Sequence, residues 1–198
     1  MLRWRLLPLS RLPVVTLALL GALSLPGCGA SQLASYDLAS IQPAHTARPL
    51  RGALVVSDPI ADEAVDSDRI VVRTDANSLA YLSDARWTDR LPDLVQERLI
   101  GTFQNARLLK FVGHPGDPSD YSLEVTIRKF EIDVQTSLAR VELAVRLLSR
   151  LTNKPIAARL FAATAPAPTT ANGAAANALD SALGQVMRQI VAWTAQQI

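Results

Sequence analysis

The chain has 198 residues, with 20 Lys and Arg against 18 Asp and Glu, one Cys and two His. Every acid lies beyond residue 27, whereas Arg3, Arg5 and Arg11 lie before it, so the remainder is close to neutral and carries no basic footprint for nucleic acid. This length supports one core of ordinary size and is short for two domains, and a lone cysteine excludes an internal disulfide.

Met1 to Arg11 carries three arginines and no acid, and Leu12 to Leu25 is an apolar run too short to span a membrane comfortably. This is the pattern of a cleavable export signal over residues 1–27. It ends in Leu25-Pro26-Gly27-Cys28-Gly29, a string that resembles the lipobox of bacterial lipoproteins, with Pro26 at the place where a small or hydroxyl residue is usual. Cys28 is then the lipidated first residue, and the membrane is the first partner. Residues 28–50 read as anchor and tether, mostly small and polar, with Tyr36-Asp37-Leu38 as a first short strand. Residues 51–198 read as a single domain.

Within that domain Leu54-Val55-Val56 suits a buried strand, and the run Asp58, Asp62, Glu63, Asp66, Asp68 lacks the spacing and glycine of a calcium loop and reads as a solvated acidic loop. Arg69 to Arg73 and Leu79 to Leu82 flank the turn residues Asp75-Ala76-Asn77-Ser78, which predicts a hairpin. Thr88 or Asp89 can cap a helix with Pro92 in its first turn. Leu91, Leu94, Val95, Leu99 and Phe103 form its apolar stripe, with Gln96, Glu97 and Gln104 opposite. Leu108 to Val112 is the next strand, and Gly113 to Pro118 a loop.

Tyr121, Leu123, Val125 and Ile127 alternate with polar residues, and beyond Lys129 the apolar phase moves to Phe130, Ile132 and Val134, a slip that a β-bulge makes. Ala139 to Leu147 and Ile156 to Ala163 continue as a meander. Ala165 to Ala176 is rich in Ala, Pro and Thr and shows no packing signal, so it reads as a mobile connection. From Asn172 or Asn177 a second helix begins, with Leu179, Leu183, Val186, Met187 and Ile190 on one stripe that Trp193 and Ile198 extend. The order of elements predicts an α+β fold, a mainly antiparallel sheet with two helices packed on one face.

The inventory for catalysis is thin. His45 falls in the tether and His114 in the Pro/Gly loop, and neither has neighbours that suggest a triad or a metal ligand set. The expectation is no enzyme, no catalytic residue, no metal and no cofactor. The set that stands out is Tyr81, Arg86, Trp87 and Arg90, two large rings and two guanidiniums at a strand-to-helix junction, a composition enriched at binding hot spots. These four are the candidate partner-binding residues. The alternative reading makes Tyr81 and Trp87 core aromatics that pin the helix to the sheet.

Tyr36-Asp37-Leu38 soon after the cysteine, Arg69-Ile70-Val71-Val72-Arg73, Tyr81 followed by Arg86-Trp87, Leu91-Pro92 with its helix, and Tyr121-Ser122-Leu123 leading to Phe130-Glu131 together resemble the ABC-type transport auxiliary lipoprotein family, the PqiC-like group. The resemblance covers essentially the whole chain after Cys28. It implies a periplasmic lipoprotein, usually anchored in the outer membrane. Such a protein works beside an ABC transporter and an MCE-type substrate-binding protein to move lipids or other hydrophobic compounds between membranes. It supplies no catalytic residues to carry over, and it leaves a homo-oligomer open. Two other readings stand beside it: a carrier that encloses a lipid between sheet and helices, and an adaptor for outer-membrane or lipopolysaccharide assembly.

Overall fold

A computed structural model of the chain describes residues 33–43, 50–171 and 173–198. The export signal, Cys28, His45 and Pro49 lie outside the described residues.

The sheet is built around one long strand, β7 (Tyr121–Asp133). Its alternation puts Leu123, Val125 and Ile127 in the core, and a register shift between Ile127 and Lys129 lets Phe130 and Ile132 stay on the same buried side. The bulge falls where the sequence phase slips. Val134 does not follow, because the strand ends at Asp133 and Val134 is an exposed residue of the next turn. Along one edge β7 pairs antiparallel with β8 (Leu138–Ser149), from Tyr121 opposite Ser149 to Asp133 opposite Leu138. Beyond β8, β9 (Lys154–Pro166) completes the meander as the outer strand.

The other edge of β7 receives three short strands in chain order. β2 (Ala53–Val56) sits beside Tyr121 to Leu123, β3 (Ile60–Ala61) beside Thr126 and Ile127, and β4 (Arg69–Asp75) beside Glu131 to Asp133. All three run parallel to β7. β4 turns back into β5 (Ser78–Trp87) as an antiparallel hairpin, β1 (Ala34–Tyr36) pairs parallel with the end of β5, and β6 (Phe111–Gly113) pairs parallel with β2. The long ladders are antiparallel as expected. The sheet is mostly antiparallel, as expected, but it also holds short parallel pairs, β1 with β5, β2 with β6, and β2, β3 and β4 with β7, which make it mixed. The physical reason is that α1 (Leu91–Ala106) carries the chain back after the hairpin, so that β6 can enter with the same direction as β2.

α1 begins after Arg90, one residue later than the Asp89 cap predicts. No side chain caps it, Asp89 accepts the Arg90 N–H at 2.7 Å, and Pro92 occupies the first turn, where the missing N–H is harmless. Leu91, Leu94, Val95, Leu99 and Phe103 are buried, but so is Gln96, which the stripe had placed toward solvent. Its amide nitrogen donates to Val56 O at 2.9 Å and to Asp58 Oδ1 at 3.0 Å, which makes burial of that amide tolerable. α2 (Ala174–Gln197) buries Leu179, Leu183, Val186, Met187 and Ile190, and Trp193 meets Phe161 edge-on at 5.5 Å. The helices touch each other where Thr102 donates to the sulfur of Met187 at 3.3 Å. The opposite face of β7 and β8 is polar, crossed by the ion pairs Arg146–Glu124, Lys129–Glu142 and Arg140–Asp133.

Two expected connections are structure instead. Residues 33–43 belong to the fold and not to a tether: Ala34 to Tyr36 pair with Ala85 to Trp87, Leu38 is buried, and Ile41 O accepts from Asn105 at 3.1 Å. Ala165 still pairs with Ala139 in the sheet. Ala165, Ala167, Ala175 and Ala176 are all buried, so the stretch taken for a mobile connection packs through its small side chains. Gly173 begins α2 with φ +74°, and a Cβ there would meet the Tyr36 ring at 2.5 Å. The ring lies where only glycine leaves room.

Candidate functional site

The expected hot-spot residues lie at the junction of β5 and α1, and the sheet register decides where each side chain goes. Val71 stands opposite Tyr81 and Arg69 opposite Arg86. Arg69, outside the four candidate residues, places its guanidinium 3.7 Å from the centre of the Tyr81 ring, a cation–π contact. Pairing the two hairpin strands by their alternation is the signal that would have found it. Arg86 reaches Asp68 Oδ2 at 3.6 Å and the Ser35 hydroxyl at 3.3 Å. Arg90 is held by Asp66 and by Asp93, the latter at 3.2 Å. The hydrogen bond that Arg90 donates to Asp66 keeps its guanidinium above its ordinary pKa, with the charge of Asp93 adding to it.

Trp87 leaves the surface set. It is 1% exposed, stacks edge-to-face on Phe130 at 5.8 Å, and donates its backbone N–H to Asp68 O at 2.7 Å. The side of β5 that carries Trp87 faces the core, so the ring pins the helix start to the sheet and cannot meet a partner. Tyr81, Arg86 and Arg90 remain at least partly accessible, with about half of each arginine side chain exposed.

The acidic loop has a structural part that its composition did not reveal. Asp66 and Asp68 hold Arg90 and Arg86, and Ser67 O accepts the Leu91 N–H at 3.0 Å, satisfying one of the free donors at the start of α1. A third arginine follows the same logic. Arg98 grips Asp37 with contacts of 2.6 and 2.7 Å, and this hydrogen bonding holds the Asp37 carboxyl below its usual range. The corner is thus a charge-balanced lattice that offers guanidinium edges and one aromatic ring.

His114 sits exposed in its loop, with Nε2 3.4 Å from Glu97. Among the described residues, no group of three or more His, Cys, Asp or Glu could hold a metal ion, and no helix is long and apolar enough to cross a membrane.

Fold and site together define a two-layer α+β domain with a mixed nine-stranded sheet and an arginine-rich corner where β5 meets α1. The chain belongs to the family of ABC-type transport auxiliary lipoprotein components, whose model matches residues 36–191. It is similar to the crystal structure of protein XCC0632 from Xanthomonas campestris, assigned to DUF330. The two are 30% identical with a TM-score of 0.71, over 83% of this chain and 94% of that one. It is also 29% identical over 182 residues to the uncharacterized protein bll6063 of Bradyrhizobium diazoefficiens, covering 89% of this chain. The chain spans about half the length of that curated relative, 49%. The hypothetical protein CT253 from Chlamydia trachomatis shares the fold, with 11% identity and a TM-score of 0.50 over 75% of this chain and 98% of that one.

Proposed function

We propose that this protein is the lipid-anchored, periplasmic and non-catalytic auxiliary component of an ABC transport system that works with an MCE-type partner to move lipids or other hydrophobic compounds between membranes. The observation that carries this reading is the closeness of the cysteine to the family domain. The first strand starts at Ala34, so the covalent chain from Cys28 reaches at most about 20 Å. A lipid on Cys28 therefore holds the domain against the bilayer, and two or more acyl chains give a stable anchor where one is marginal. Gly29, rather than Asp, follows the cysteine and supports the outer membrane as the place of anchoring.

Cys28→Ser tests the anchor. The variant should be exported, folded and recovered in the soluble fraction after a high-salt wash, whereas the parent stays with the membranes. Retention of the washed variant would overturn the lipid attachment.

Docking on the MCE-type partner falls to Tyr81, Arg86 and Arg90. Changing both arginines to Ala should abolish recovery of the partner in pull-down while the melting temperature stays near that of the parent, since exposed ion pairs contribute little to stability. Undiminished recovery would remove this corner from the interface.

A further inference from the structure

The end of the sheet where β2, β6 and β7 begin carries side chains that the arginine lattice leaves unused. An open cleft there is lined by Arg51, Lys110, Phe111, Ser119 and Asp120, and it continues past Gly52 to Tyr121 and Leu151. The backbone that shapes it is tightly built. Gly52 has φ +127° with the Tyr121 ring 3.0 Å from where a Cβ would stand, and Arg150 donates its backbone N–H to Asp120 O at 2.8 Å. Lys154 stands opposite Ser149 across the β8–β9 turn, so Arg51, Lys110, Arg150 and Lys154 share this end. None of the four is matched to a carboxylate among the described residues.

The nearby acids are engaged by backbone groups. Asp120 accepts the Ala53 N–H at 2.8 Å, and Asp117 accepts the His114 N–H at 3.0 Å. The Ser119 hydroxyl oxygen is buried and has no partner among the described residues. Amid these cations stand two apolar side chains that the fold does not cover, Leu151 at 93% exposure on the apex of the turn and Phe111 at 45%.

Two partner chemistries could use the cations, but only one also accounts for the leucine. An acidic protein supplies anions and leaves an apolar apex without a matching pocket. A phospholipid surface supplies phosphates for the arginines and lysines and acyl chains for the leucine and phenylalanine, with the basic stems reaching back to the headgroups. We propose that this end of the sheet is a peripheral contact site for an anionic phospholipid surface. It lies at the end of the sheet away from the start of β1. β1 runs with β5, β5 against β4, and β4 with β7, so the chain enters at Ala34 from the direction of Asp133, whereas the cleft lies at Tyr121, the other end of a 13-residue strand. The site rests on the reading of this protein as a component of the cell envelope, but not on the lipid attachment.

The test uses the chain from residue 28 onward with Cys28→Ser, so that no acyl chain is present, and measures co-sedimentation with vesicles. Vesicles of equal parts phosphatidylcholine and phosphatidylglycerol should pellet the protein, and phosphatidylcholine alone should pellet much less. Arg150→Ala and Lys154→Ala should each lower the partition coefficient about fivefold, and added salt should weaken binding. Leu151→Ser should also weaken it without moving the melting temperature, because that side chain packs against nothing. Absence of pelleting, or pelleting that survives all three substitutions, overturns the proposal. So does calorimetric binding of inorganic phosphate with no vesicle binding, which would give the cleft to a free anion.

Discussion

Trp87→Ala should lower the unfolding free energy by about 3–5 kcal/mol, the range for truncating a large aromatic in a core. The ring is 1% exposed, makes an edge contact with Phe130, and stands where β5 hands over to α1. Its loss opens a cavity between helix and sheet that the long ladders around β7 cannot collapse to fill. Trp87→Phe should cost much less, since part of the volume remains. Urea denaturation of the two variants decides the matter: a lower midpoint for Trp87→Ala at unchanged slope is the expected outcome. A variant as stable as the parent would return Trp87 to the surface.

Arg73→Ala should be nearly as damaging, at roughly 3 kcal/mol. Glu131 is 4% exposed, and Arg73 holds both of its oxygens, through Nε at 2.8 Å and Nη2 at 2.9 Å, while Nη1 donates to Ala76 O at the hairpin turn. Glu131 in turn raises the pKa of Arg73. Removing the guanidinium leaves a carboxylate in a place that water scarcely reaches.

In the parent, Asp133 links stability to pH. Burial raises the pKa of that carboxyl, but the backbone N–H of Thr136 and the charge of Arg140 outweigh it and hold the group below its ordinary value. Its contribution is therefore present above the ordinary Asp pKa and disappears as pH drops through the folded value. Melting curves of the parent and of Asp133→Asn across the acid range check the sign, with the difference between them shrinking as pH falls.

The parts of the fold that strong periodicity governs were legible in the residues. Tyr121 to Ile132 shows its strand, its bulge and its buried face by alternation alone, and the stripe from Leu91 to Phe103 shows α1. What stayed hidden has a common cause, namely that pairing between distant residues leaves no local pattern. β1 and β3 are too short to alternate, and the parallel entry of β2, β3 and β4 on one edge of β7 is a property of the assembled sheet. The alanines from Ala165 to Ala176 offer no apolar contrast, although several pack completely. At the candidate site the residue types were readable, but their depths were not: Trp87 and Tyr81 look alike in the sequence and lie on different sides of one strand. The partner of Tyr81, Arg69, becomes visible only once the hairpin register is fixed.

The docking of β2, β3 and β4 along a single edge of β7 bears on when this chain can fold. Leu54 waits for Tyr121 and Val72 for Ile132, so the first half of the domain has no long partner until the middle of the chain arrives. Such distant pairings carry a loop-closure cost that precedes their reward and slow the search for the native sheet. Under the export proposed above, this delay is useful. The leading segments cannot complete a stable sheet before the central strand is synthesised, which lengthens the time in which the protein remains open enough to be threaded across a membrane.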